Sequence, residues 1–348
     1  TQEWGNPSSV YGFGTRAAAL VKGWRGDVAQ ALGCQPEEVY FTSCGTESDN
    51  WAIRSGVELN RRKGKHIITT AIEHAAVLEP CRELERQGWE VTYLAPDKQG
   101  QIDPAQLEAA LREDTVLVSM MLVNNELGTV LPVKEAARAI KRSGCSALLH
   151  CDAVQGLLKV PFTPKELGVD LLSISGHKIH APKGIGALYI RKGLKLPAFI
   201  RGGGQESGLR SGTEATGQIA ALAAAARLGR ETMETDLKHM EALREETAAR
   251  LMAQVPGLKV LVERGAPHIL PVTMPGYKSE VVVRYLSDRG VYLSSGSACH
   301  KGKPSHVIAA LRLSKKEAAG AFRISFGEKT TPEAVDALYD AVLTHKNS

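Results

Sequence analysis

From about residue 39 to residue 200 the chain alternates short apolar runs with amphipathic stretches, and this alternation restricts the possible folds most. The runs are Val39–Thr42, His66–Thr69, Glu90–Leu94, Thr115–Ser119, Ala147–Cys151, Leu171–Ile174 and Ala187–Ile190. Each is short, rich in β-formers and bounded by turn residues, which is the pattern of a strand. Between them, stretches such as Pro104–Arg112 and Val133–Arg142 repeat their apolar residues at helical spacing. Strand–helix alternation of this kind builds a mostly parallel sheet covered by helices. We therefore expect an α/β fold with a mostly parallel seven-stranded sheet. Reactive groups should gather at the carboxyl ends of its strands.

After about Thr213 the pattern changes to one long helix reaching Gln254, with Gly229 as a weak point along it. Ile219, Leu222, Ala226, Met233, Leu237 and Met240 recur on one face. The rest of the chain reads as a smaller α+β unit, with strands at Val260–Val262 and Ala321–Phe326 and a helix from Glu280 to Asp288. The expected division is a large domain over 12–230 and a small domain over 231–348 joined by 1–11.

Composition narrows the function classes. With 348 residues, 43% hydrophobic and 23% charged, the chain is an ordinary globular one. No window approaches the roughly 18 apolar residues of a membrane span, and no signal-peptide pattern is expected at the start. The net charge of +5 is spread without basic–aromatic patches, so neither a membrane nor a direct nucleic-acid partner is expected. Six cysteines form no CxxC pair and no zinc spacing, which excludes a sequence-evident metal site and suits reduced thiols in the cytoplasm.

The chemistry collects around a few segments. Lys178 lies in Ser175-Gly-His-Lys178 at the polar end of an apolar run, where desolvation and nearby charge would free its amine to form a Schiff base. Asp152 ends the run Leu148-Leu-His-Cys-Asp152, with Gln155 just beyond; it reads either as a capping residue or as the partner of a protonated ring nitrogen. His74 follows another strand and could cover an aromatic face and move protons there. Phe41-Thr-Ser-Cys-Gly-Thr46 passes from strand to helix, so its free N–H groups suit a phosphate, although such residues are also ordinary caps. Asn125 stands at a further strand end. Arg210-Ser-Gly-Thr213 follows a glycine-rich stretch and is either a phosphate contact or a flexible connection.

Taken in order, Thr46-Glu-Ser-Asp-Asn50, Val123-Asn-Asn-Glu126, Asp152-Ala-Val-Gln155, Ser175-Gly-His-Lys178 and Arg210-Ser-Gly-Thr213 resemble the cysteine desulfurases. These are pyridoxal-phosphate enzymes of the class V aminotransferase type with fold type I. The resemblance runs from Gly5-Asn-Pro-Ser-Ser9 to Phe326. It implies pyridoxal 5'-phosphate as cofactor, with Lys178 its covalent anchor and Asp152 the partner of its ring nitrogen. Gln155 and His74 would contact the ring. Thr46, Ser175 and His177 would hold the phosphate, joined by Thr213 from a second subunit, so a homodimer is implied. Asn125 and Arg323 would bind the carboxylate of the L-cysteine substrate. Members usually carry a further N-terminal strand with a Leu-Asp-Asn-Ala-Ala-Thr-Thr-like motif, so that segment is expected to be truncated or left out before Thr1. Tyr11, Cys44 and Ala181 stand where His, Gly and Gly are common.

Cys299 discriminates among the pyridoxal reactions. It lies in a Gly- and Ser-rich segment whose His300, Lys301 and Lys303 favour the thiolate. In the family the matching cysteine takes the substrate sulfur as a persulfide, alanine leaves, and a sulfur-acceptor protein receives the sulfur for iron–sulfur clusters or thiolation. Catalysis is then expected to rest on Lys178, Cys299 and His74. Selenocysteine lyase and a catalytically silent scaffold of the same fold are the competing readings.

Overall fold

The computed structural model describes residues 5–295 and 305–347. Among them, seven strands form one sheet: β1 (Val39–Thr42), β2 (His66–Thr70), β3 (Glu90–Leu94), β4 (Thr115–Ser119), β5 (Leu148–Asp152), β6 (Leu171–Ser175) and β7 (Gly186–Ile190). Their order is β1-β7-β6-β5-β4-β2-β3. The pairs from β6 through β5, β4 and β2 to β3 are parallel, while β7 runs antiparallel to both β6 and β1. The expected α/β fold with a mostly parallel seven-stranded sheet is therefore the observed one. Strands β2, β4, β5, β6 and β7 are buried at every position. That explains why they read as continuous apolar runs rather than as alternating ones.

Helices α1 (Gly12–Leu32), α2 (Gly45–Asn60), α3 (Ala75–Arg86), α4 (Pro104–Ala110), α5 (Val133–Ser143) and α6 (Pro164–Leu167) fill the first 170 residues. Helix α2 lies over the sheet; its Trp51, Ala52, Ile53 and Val57 are buried, Trp51 and Ala52 packing with Leu171, Leu188 and Ile190. Trp51 also stacks on Phe199 with ring centroids 5.9 Å apart. The connection between β6 and β7 is a hairpin-like reversal with Leu171 opposite Ile190 and Ser175 opposite Gly186, where parallel neighbours need crossover helices.

The chain divides into two compact units. The first covers Thr1–Leu94, Pro104–Leu122 and Pro132–Thr232; the second covers Ala95–Asp103, Val123–Leu131 and Met233–Ser348. Helix α7 (Thr216–Gln254) contributes residues to both. It runs unbroken through Gly229, contrary to the weak point expected there. A Cβ at this position would come 2.5 Å from Leu158 Cδ1, so the missing side chain accommodates Leu158 against the helix.

In the second unit, β8 (Lys259–Val260), β9 (Ile269–Thr273) and β10 (Ala321–Ser325) form an antiparallel sheet in the order β10-β9-β8. Helices α8 (Ser279–Ser287), α9 (His306–Ala310), α10 (Lys315–Ala319) and α11 (Pro332–Asn347) complete it. Its core joins Met240 and Leu243 of α7 to Leu270, Val272, Phe322, Ile324, Val335 and Leu338. Strand β9 escaped the sequence reading because Pro271 interrupts its apolar run, and proline is rare in a central strand such as this one.

Arg244 of α7 is buried in this unit and binds backbone rather than acid. Its Nε donates to the Ile269 carbonyl at 3.1 Å, and Nη2 donates to the Val262 and Glu263 carbonyls at 2.8 and 3.1 Å. Removing it would leave those carbonyls without their donor. Arg244→Ala is expected to lower stability by about 3 kcal/mol, measured as a shift of the unfolding transition in denaturant. An unchanged transition would contradict this account of the unit's stability.

Candidate active site

The polar groups singled out in the first unit lie at the carboxyl ends of β2, β5 and β6 and at the start of α2. Asp152 is the last residue of β5 and is only 5% exposed. Its Oδ1 accepts from the Val154 N–H at 2.9 Å. Burial pushes its carboxyl above the usual range, against the Val154 hydrogen bond and the influence of His74 and Lys178. His74 and Lys178 thus both act on Asp152.

His74 follows β2 and caps α3, with Nδ1 accepting from the Ala76 N–H at 3.1 Å. In the neutral ring the proton is then on Nε2, on the exposed side chain. Lys178 is half-buried in the tight turn Gly176–Ile179 that follows β6. Gln155, also half-buried, stands three residues past Asp152.

A second group forms where α2 begins. Cys44 occupies its N-cap in an extended conformation and makes no side-chain cap. The first-turn N–H groups therefore keep a positive potential suited to an anion. A Cβ at Gly45 would come 2.7 Å from Val154 Cγ2 and 3.4 Å from Ser175 Cβ, so glycine lets the helix start close against the end of β6. Ser175 Oγ and His177 Nδ1 are 2.8 Å apart, and Thr46 is exposed in the first turn. Burial, then Lys178 and Lys183, holds the His177 imidazole below its ordinary pKa. Arg210 grips Glu47 with Nε and Nη2 at 2.7 and 3.1 Å, which ties the segment before Thr213 to α2. Thr213 itself is exposed.

Asn125 and Arg323 belong to the second unit. Arg323 Nη1 donates to the Asn125 carbonyl, while the buried Arg323 Nε has no hydrogen-bond partner. A carboxylate would satisfy such a donor. Cys299 lies outside the described residues.

The sequence reading missed a buried polar row beneath these residues. Ser119 of β4, His150 of β5 and Ser173 of β6 lie on adjacent strands, with His150 Nδ1 2.8 Å from Ser119 Oγ and His150 Nε2 2.9 Å from Ser173 Oγ. Asp49 of α2 covers the row, its Oδ1 3.5 Å from His150 Nε2. Burial pushes the His150 pKa down to about 3, so its ring is neutral. The available signal was the two-residue spacing of His150 and Asp152, which puts both on one face of β5. Glu73 was also missed; its Oε1 accepts from Thr70 Oγ and from the Met121 N–H, each at 2.9 Å.

Burial pushes Glu73 from an ordinary 4.5 to about 8, with the Asp152 charge adding to the rise. A carboxyl raised on folding contributes its stability fully below pH 4.5 and loses it as pH climbs towards about 8. Glu73→Gln keeps both acceptor bonds without the charge. Relative to the parent it should gain about 1.4 kcal/mol per pH unit across that window, read from denaturation at a series of pH values. A constant difference would show that Glu73 is ionised when folded.

Among the described residues no group of three or more His, Cys, Asp or Glu could hold a metal ion. The profile of the family described as Aminotransferase class-V matches residues 1–338. "Cysteine desulfurase IscS" of Methanosarcina thermophila is 42% identical over 347 residues, covering 98% of this chain and 85% of that protein. The solved structure of a NifS-like protein superposes with a TM-score of 0.93 at 38% identity, over 99% of this chain and 92% of that one. A structure of SspA in complex with cysteine gives 0.81 at 35% identity, over 95% and 93%. The chain belongs to the class V aminotransferase family, among its cysteine desulfurases.

Proposed function

We propose that this protein is a pyridoxal-phosphate-dependent cysteine desulfurase that converts L-cysteine to L-alanine and passes the sulfur to an acceptor protein. The observation that carries this reading is the buried Asp152 carboxyl, influenced by both His74 and Lys178, beside an uncapped helix start. A protonated ring nitrogen suits the first feature and a phosphate the second, so the residues present fit the cofactor.

Bound pyridoxal phosphate supplies an electron sink that acidifies the substrate Cα. Thr46, Ser175, His177 and the first N–H groups of α2 bind the phosphate. Asp152 would hold the proton on the ring nitrogen, Gln155 and His74 would contact the ring, and His74 would move protons through Nε2. Lys178 anchors the cofactor, and its Nζ carries the Cα proton. Arg323 and Asn125 bind the substrate carboxylate. Cys299 Sγ donates an electron pair to the substrate sulfur as the Cβ–S bond breaks; that bond's pair stays with carbon, which takes a proton and leaves as alanine. Sulfur then resides on Cys299 as a persulfide.

Thr213 completes the phosphate site from a second copy of the chain. Its exposure, and that of Val10, Tyr11 and Phe13, supports a homodimer. Free thiols at Cys34, Cys81 and Cys151 support a cytoplasmic enzyme. An iron–sulfur scaffold or a thiolation enzyme is the acceptor this chemistry suits.

Protein loaded with cofactor should absorb near the edge of the visible range and release alanine from L-cysteine. Lys178→Ala should abolish that absorbance and reduce alanine formation on the order of 10³-fold. Cys299→Ala should keep the absorbance and lose sulfur release; full release by this variant would remove Cys299 from the mechanism. Activity on selenocysteine alone would assign the chain to selenocysteine lyase instead.

A further inference from the structure

Asp49 is the least explained polar group in the first unit. It is 1% exposed, and its Oδ1 has no hydrogen-bond partner. The titratable groups acting on it are all acids: Asp152 from β5, Glu73 from the segment after β2, and Cys44 from the start of its own helix. Cys151 of β5 also feels it, and His150 faces it as a neutral ring. Its carboxyl shares Ser173 Oγ with His150 Nε2. Ser173 stands opposite Asp152 in the parallel pairing of β5 and β6.

Two negative carboxylates acting on one another in a dry interior repel strongly, so the pair favours a single shared charge. The hydrogen bonds distinguish the two members: Asp152 Oδ1 accepts from the Val154 N–H, whereas Asp49 Oδ1 has no donor, which favours the proton on Asp49. A protonated Asp49 can donate to Ser173 Oγ, with Ser173 donating to His150 Nε2 and His150 Nδ1–H to Ser119 Oγ, so a neutral Asp49 is compatible with one donor and one acceptor at every link. Asp152 cannot take that role without losing its acceptor function towards a ring N–H.

We infer that Asp49 is a positioning residue that carries the proton of a buried carboxyl pair, leaving Asp152 as the lone anion that a cationic ring nitrogen meets. This rests on the cofactor reading of Asp152. Asp49 sets the electrostatics of the site without touching the cofactor. Burial and then the Asp152 charge push its carboxyl well above the ordinary range, against the Ser173 hydrogen bond.

The test is infrared difference spectroscopy of the loaded protein, parent minus Asp49→Asn, at neutral pH. The amide reproduces the donor to Ser173 Oγ without a titratable proton. The expected difference is the carbonyl band of a protonated carboxyl group, shifted in heavy water; carboxylate bands in its place would overturn the inference. Cofactor affinity is measured alongside by titrating cofactor-depleted protein. Asp49→Asn should stay within about threefold of the parent, while Asp152→Asn weakens binding by more than about tenfold, one pKa-unit equivalent. Equal weakening in both variants would show that Asp49 must be ionised. Unchanged affinity in Asp152→Asn, with the protonated band still present, would instead remove the cofactor role of Asp152 and leave the protonation of Asp49 standing. If Asp49→Asn does not fold, a pH titration of the carboxyl band in the parent gives the same decision.

Discussion

Taking ionisable groups out of water at the strand ends is the constraint on which the site depends. Asp152, Asp49, Glu73 and His150 are all buried in the first unit, and burial is the largest influence on the titration of each. An isolated buried ion is so unfavourable that such groups either neutralise or recruit an opposite charge. Here neutral partners outnumber charged ones. His150 and Glu73 are neutral over the middle of the pH scale, so the field they create around Asp152 is weak. A cation arriving at Asp152 therefore meets a carboxylate whose solvation is supplied chiefly by fixed dipoles and that cation itself.

The sheet makes this economical. Strands β4, β5 and β6 are parallel neighbours, with Ser119 opposite His150 and Ser173 opposite Asp152, so the polar row forms without any loop having to place it. Helix α2 then brings two kinds of polar group to the same sheet: an uncapped N-terminus near Ser175, and Asp49 one turn later against His150. Packing of Trp51, Ala52 and Ile53 fixes the helix and hence both groups. Binding and electrostatics are therefore coupled through one apolar interface.

The strands of the large sheet were legible because their complete burial turns them into continuous apolar runs, and only their ends moved by a residue, as at Asp152 and Ser175. The strand-end residues Lys178, Asp152 and His74 could be found from the same pattern. His150 offered only its two-residue spacing from Asp152, and Ser173 and Asp49 offered nothing, because a buried polar residue looks like an ordinary interruption or helix-surface group until its partners on other elements are known. Strand β9 stayed hidden behind Pro271, and Gly229 misled because its role is spatial accommodation of Leu158, which local helix propensity does not register.

The antiparallel course of β7 has a consequence for assembly. Lys178 sits in the reversal between β6 and β7, so its backbone is placed by contacts between near neighbours along the chain. Closing so short a loop sacrifices little chain entropy. The helix start that faces Ser175 comes from far earlier in the sequence and requires a much larger closure. A nascent chain can thus shape the lysine's turn locally, while the anion-binding half of the pocket awaits long-range docking; cofactor capture reports completion of the whole first unit.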